Sequence, residues 1–145
     1  MTIAPAARRF SGFMVDVGVL VVLTIPLIPL TGGIVLEDVI ERGLPRDFLL
    51  AANIVTAAYY IVLTGWRGQT LGKLLVRTKV VGEESSETPT MWQAVVRWVV
   101  PFVASSLPGL LSLAGVIVYG WLLADDRNQG IHDKAARTLV IQVGE

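Results

Sequence analysis

Few residues in this chain have the type and setting to do chemistry. Asp16 lies inside an otherwise apolar run, with Arg9 at the start of that run. Seven residues separate them, so on a helix they share a face and lie roughly 10 Å apart along the axis. A carboxylate in hydrocarbon costs on the order of 2.5–3.5 kcal/mol on insertion scales, so it needs a partner or a use. Desolvation favours its neutral form, while a nearby Arg9, Lys73 or Arg97 favours the charged one. That competition is what a proton or cation relay requires. Asn53, Thr56, Tyr60 and Thr64 are spaced as one helical stripe, which is read either as a polar seam facing Asp16 or as helix–helix glue. His132 is the only histidine and adjoins Asp133. An isolated His-Asp pair lacks further ligands for a metal, so Asp133 is expected to cap or salt-bridge the connection before the last strand, through Lys73, Arg77 or Lys134. Gly68-Gln69-Thr70-Leu71-Gly72-Lys73 has the wrong glycine spacing for a phosphate loop, and Leu74 stands where a magnesium-binding hydroxyl belongs. No nucleophile–base–orienter set argues for hydrolysis. The chain is expected to be no enzyme, to use no cofactor and to bind no metal.

These residues sit in a chain of 145 residues that is 53% hydrophobic and 17% charged, with a mean hydropathy of +0.63. That composition reads as a single small integral membrane domain over 1–145. Zero formal net charge gives no case for nucleic acid, and the lack of cysteine excludes disulfides and thiolate chemistry. No internal repeat stands out. Asp16 inside the first apolar run, and the run's continuation to Leu30, argue against a cleaved signal peptide.

A first span is predicted from about Phe10 to Leu30, a short amphipathic surface helix over 34–42, and a second span from about Phe48 to Thr64. Residues 74–81 alternate and are rich in β-branched residues, so they read as a strand, as do 138–143. The apolar block 92–124 is interrupted at Pro108-Gly109. Arginine and lysine in the leader, the 67–91 loop and the tail put all three in the cytoplasm. The last block must then cross an even number of times, so it is split at Pro108-Gly109 into two short helices, a thin or re-entrant hairpin. The expected fold is an all-α membrane protein of the plasma membrane, with four membrane helices, both termini cytoplasmic, and a two-stranded cytoplasmic β element (about 74–81 with 138–143). Arg97, near the start of the hairpin, is expected to snorkel or to reach Asp16.

Arg9 with Asp16, Thr70-Leu71-Gly72-Lys73 with its strand, and Gly130-Ile131-His132-Asp133-Lys134 with Thr138 together resemble the RDD family of small membrane proteins, named for one arginine and two aspartates. The resemblance covers about Arg9 to Val143. It aligns Arg9 and Asp16 with the first two of those residues and Asp133 with the second aspartate. It departs at Ala136-Arg137-Thr138, where the family tends to have Ala-Gly-Thr. For the family, the resemblance implies only a suggested transport role, including cation/proton exchange. The resulting expectation is a transport-related protein, oligomeric, with Arg9, Asp16, Asn53, Lys73, Arg97 and Asp133 as its ion or polar-network residues. The alternative is an accessory protein that binds a partner, with Arg9, Asp16 and Asp133 holding the fold.

Overall fold

The structure is a computed structural model and describes residues 2–144. It is mostly helical, with one small sheet. Helix α1 (Ala6–Thr24) ends at a turn through Ile25-Pro26, and the short α2 (Leu27–Leu30) completes the first apolar run. The amphipathic stretch forms α3 (Leu36–Arg42), closed by Gly43 at a φ of 80°. Helix α4 (Arg46–Arg67) exceeds the expected span by about a turn and ends on Gly68, whose left-handed backbone satisfies a helix C-terminus without a Cβ penalty. It is long and apolar enough to cross a membrane, and little of it is buried within the protein.

The expected strand over 74–81 is corrected. Leu74 and Leu75 belong to a five-residue helix, α5 (Leu71–Leu75), and strand β1 runs Thr78–Gly82. The Thr70 hydroxyl accepts the Lys73 N–H (3.3 Å) and starts a helical turn. Arg77, at a φ of 54°, then redirects the chain into the strand. Helix α6 (Met91–Ser105) opens with a reciprocal cap between Thr90 and Gln93. The block breaks at Pro108-Gly109 as expected. Its second arm is 3-10 over Gly109–Leu113, α-helical over α7 (Ala114–Gly120), and 3-10 again over Trp121–Leu123. The two arms pack on each other. Helix α8 (Ile131–Ala135) leads into β2 (Thr138–Gln142), which pairs antiparallel with β1. Thr2, Ile3 and Ala4 bond the other edge of β2.

An internal repeat is present, contrary to the expectation of none. Gly68, Gln69, Thr70, α5, Arg77 and β1 are matched sixty positions later by Asn128, Gln129, Gly130, α8, Arg137 and β2. Gly68 and Asn128 both have positive φ, as do Arg77 and Arg137. The Gln69 amide donates to the Thr78 carbonyl at 2.8 Å, and the Gln129 amide to the Thr138 carbonyl at 3.0 Å. The strand register pairs Thr78 with Gln142 and Gly82 with Thr138, so a pseudo-twofold axis passes between Val80 and Val140. Each half of the chain has two longer helical arms that precede one such unit.

Burial is inverted relative to a soluble domain. The buried apolar residues, such as Val80, Val81, Leu139 and Val140, cluster at the sheet. Asp16, Thr70, Thr78, His132, Asp133 and Thr138 are also buried, while large apolar side chains along every long helix lie exposed. Contiguous exposed apolar surface of that extent marks contact with a membrane or partner.

Candidate functional site

Two buried aspartates organise the polar interior, each at the start of one of the short helices. Asp16 projects from α1 onto the N-terminus of α5. One carboxylate oxygen accepts the Gly72 N–H (2.7 Å) and the Tyr59 hydroxyl (2.6 Å), and the other accepts the Thr70 hydroxyl (2.6 Å). Its only ion pair among the described residues is with Lys73, at 3.9 Å. The helices can come this close because both crossing positions are glycine. A Cβ on Gly72 would overlap the Gly12 carbonyl oxygen and lie 2.7 Å from the Asp16 carboxylate.

Asp133, on α8, accepts the Gly130 N–H (2.9 Å), which caps its own helix. Arg9 bonds it at 2.5 Å and also bonds the Asn128 carbonyl, joining the start of α1 to the second unit. Arg97 bonds the other oxygen of Asp133 and the Thr138 hydroxyl, the latter at 2.5 Å. Burial alone would push Asp133 up. Arg97, with His132 and Arg9, instead holds it well below the usual carboxylate range. His132 packs against the Tyr119 ring at 4.9 Å, and burial pushes it down to about 4 against the pull of Asp133. Its Nδ1 has no hydrogen-bond partner among the described residues. Burial lowers Lys73 to about 8, with Asp16 pulling the other way.

The pairings differ from those expected. Arg97 reaches Asp133 and not Asp16, because α6 packs on α8 while α1 packs on α5. Asp133 takes neither Lys73, Arg77 nor Lys134. Lys134 pairs with Asp125, and the partners of Asp133 are the arginines of two distant helices. Arg9 does not serve Asp16, although they share a face of α1. Asn53 donates within its own helix to the Leu49 carbonyl (2.8 Å) and meets neither aspartate. The α4 stripe does face inward, yet the residue that bonds Asp16 is Tyr59, one position off the stripe. Thr70, Gly72, Gln129 and Thr138 join the expected site residues, and their hydroxyl, backbone N–H and amide contacts carry no signature in residue type alone.

A cavity of about 940 Å³ lies between α1, α4, α6 and the second hairpin arm. Arg9, Lys73, Arg97 and His132 lie at one end of it. Its walls are mostly apolar, with Asn53, Thr56 and Thr64 along one side. Asp16 borders it but exposes nothing, and the arginines and lysine keep 10–20% of their side-chain surface exposed. No group of three or more potential metal-ligating side chains exists among the described residues.

No solved structure matches the chain. One relative is Uncharacterized protein RP437 of Rickettsia prowazekii (strain Madrid E), 28% identical over 95 residues. The alignment covers 65% of this chain, which thus spans about half (49%) of the relative's length. The model of the RDD family, a family generally of membrane proteins, matches residues 3–137, which takes in Arg9, Asp16 and Asp133 with the first sixty-residue-spaced unit and the second as far as Arg137, and the chain belongs to that family.

Proposed function

We propose that this chain is a non-enzymatic, multi-pass protein of the plasma membrane in which Arg9, Asp16 and Asp133 hold the helices around the cavity, and that the cavity, open to a ligand or partner, is what the fold serves. The observation that carries this reading is the saturation of both aspartates. Each is wholly buried, capped by backbone N–H and balanced by a cation, so neither has an oxygen free for a passing ion. The four membrane helices are α1, α4, α6 and the Gly109–Leu123 arm, with the sheet and both termini on the cytoplasmic side. The charges of α1 all fall between Arg8 and Asp16, at the sheet end, and residues 17–30 carry none. The hairpin arms have 15 residues each, about 23 Å of helix for the α arm, which suits a thin or partial crossing. Cysteines placed singly at Thr2, Ser86 and Gly144 would label from the cytoplasmic face and one at Gly33 from the opposite face. Any other pattern contradicts the topology.

The role of Asp16 is tested with Asp16→Asn in proteoliposomes, with folding measured in parallel. The proposal expects reduced stability and no cation or proton flux in either protein. Wild-type flux lost in a well-folded variant would make Asp16 a coupling carboxylate. One observation favours that second, transport reading. Lys73 pairs with Asp16 and lines the cavity, and burial lowers it to about 8, so it can release its proton just above neutral pH.

A further inference from the structure

The cavity has the dimensions and charge of a site for an amphiphile. It is bordered by Ala6 through Leu20 on α1, Asn53 through Thr64 on α4 and Ala94 through Ser105 on α6. These stretches advance eleven to fourteen residues, roughly 16 to 21 Å of helix. That is between half and two-thirds of the ~30 Å hydrocarbon thickness of a bilayer, enough to take an alkyl chain within one leaflet. The volume, about 940 Å³, falls within the range of ligand-binding sites. Three cations, Arg9, Lys73 and Arg97, crowd the sheet end against two carboxylates, so one positive charge is left uncompensated. The carboxylates lie fully buried behind the cations, and the surface that remains to the cavity is cationic. Beyond that end the walls are mostly apolar, with Phe13, Val17, Phe102 and Leu123 facing the polar side of α4.

We propose that this cavity binds one alkyl chain bearing an anionic head, with the phosphate or carboxylate against Lys73 and the arginines and the chain along α1 and α6. The head replaces water at partly desolvated cations, where a charge-assisted bond is strong. The chain fills the unpacked wedge between α1 and α6. A membrane phospholipid and a free fatty acid share this chemistry. The inference rests on the membrane reading above for the source of the ligand. If that reading fails, the chain stays in the soluble fraction; if this one fails, the protein is membrane-bound but indifferent to the head group.

The test uses full-length protein in digitonin, which carries no alkyl chain to compete. Dodecyl phosphate should raise the melting temperature saturably, while dodecyl phosphocholine and inorganic phosphate leave it unchanged. Lys73→Gln should weaken the dodecyl phosphate effect at least tenfold. Thr56→Trp, which fills the wall without touching the ion pairs, should abolish it and so serves even where Lys73→Gln folds poorly. Equal stabilisation by the phosphocholine, or an undiminished effect in Thr56→Trp, overturns the proposal. Native mass spectrometry of protein taken from membranes should show a retained anionic phospholipid or a fatty acid, which identifies the source. Retention of zwitterionic phospholipid alone overturns it.

Discussion

The two sixty-residue-spaced units share a backbone and differ in how they are charged. At the third position of the short helix the first unit has Lys73 and the second Asp133. Each is paired with a residue of opposite sign on the first helix of its own half, Asp16 of α1 and Arg97 of α6. The sign of the bridge is thus inverted between halves, while the requirement it meets is the same. A short helix buried at its N-terminus leaves N–H groups to satisfy, and an aspartate satisfies one in each unit. In the first unit that aspartate comes from another helix, in the second from the short helix itself. Arg9 then crosses from the first half to the second, so Asp133 carries two arginines and Asp16 one lysine. Backbone satisfaction is therefore what the two units hold in common, and the ion pairs are built around it.

The inequality is broken most visibly at Asp133. Asp133→Asn leaves two largely buried guanidinium groups without a carboxylate, and unpairing a buried ion costs about 3–5 kcal/mol. Asp16→Asn should cost less, about 1–3 kcal/mol. Its amide oxygen still accepts the Gly72 N–H, the Thr70 and Tyr59 hydroxyls can reorient, and Lys73 is 20% exposed. Thermal unfolding in detergent orders the two, and an Asp16 variant less stable than the Asp133 variant would reverse the comparison. Next comes the close crossing. Gly72→Ala drives a Cβ into the Gly12 backbone, which can yield only by separating α1 from α5, at about 3 kcal/mol. In Gly130→Ala the new methyl meets the buried His132 ring and the Val118 carbonyl at 3.0 Å, contacts less close than the one at Gly72, so the loss should be about 2 kcal/mol.

The units should also titrate at opposite ends of the pH scale. His132 has its folded pKa lowered to about 4 from 6.5, so the unfolded chain binds the proton more tightly. Its contribution to stability is intact above pH 6.5 and falls as pH drops toward 4, by up to about 3 kcal/mol. Asp133, Arg97, Arg9, Lys73 and Tyr119 surround it. Lys73 is lowered to about 8 from 10.5, so holding it protonated opposes folding below pH 8, and stability rises from there toward 10.5. Melting temperatures across pH should therefore show an acid limb that flattens in His132→Gln and an alkaline rise that vanishes in Lys73→Met. An unchanged acid limb in the histidine variant would return that limb to carboxylates elsewhere.

Much of this was legible in the residues. The positions of the long helices, the break at Pro108-Gly109 and the pairing of the two strands follow from hydropathy, proline placement and the need to pair lone strands. The mismatched parts were tertiary. Asp16 and Arg9 share a helical face, and nothing in their spacing shows that a glycine crossing brings α5 to one and an arginine reach brings α8 to the other. Leu74 and Leu75 suit a strand by type, but the hydroxyl of Thr70 decides for a helical turn. A trace of the repeat was available: Arg67 and Gln69 recur as Arg127 and Gln129, and Arg77-Thr78 as Arg137-Thr138. It is masked because the short helices share only a backbone. The same repeat accounts for the departure at Arg137. The position needs a left-handed backbone, which glycine supplies most easily, and Arg137 adopts it at a φ of 50° just as Arg77 does at 54°.

The finest comparison lies one residue beyond those arginines. Thr78 and Thr138 open the two strands, are both fully buried, and each donates its hydroxyl to the carbonyl five residues back, that of Lys73 (3.5 Å) and Asp133 (3.3 Å) respectively. Only Thr138 also accepts from an arginine, Arg97, at 2.5 Å. A hydrogen bond to a charged group contributes about 1.5–3 kcal/mol, against about 0.5–1.5 for a neutral one. Thr138→Val should therefore cost about 2 kcal/mol and Thr78→Val under about 1 kcal/mol, though the two substitutions are chemically identical and sit at symmetry-related sites. Equal losses would mean that Arg97 finds all it needs at Asp133. A loss at Thr138 that disappears in an Arg97→Met background would locate the asymmetry in that one bond, because a double-mutant cycle isolates the pair from the shared backbone of the repeat.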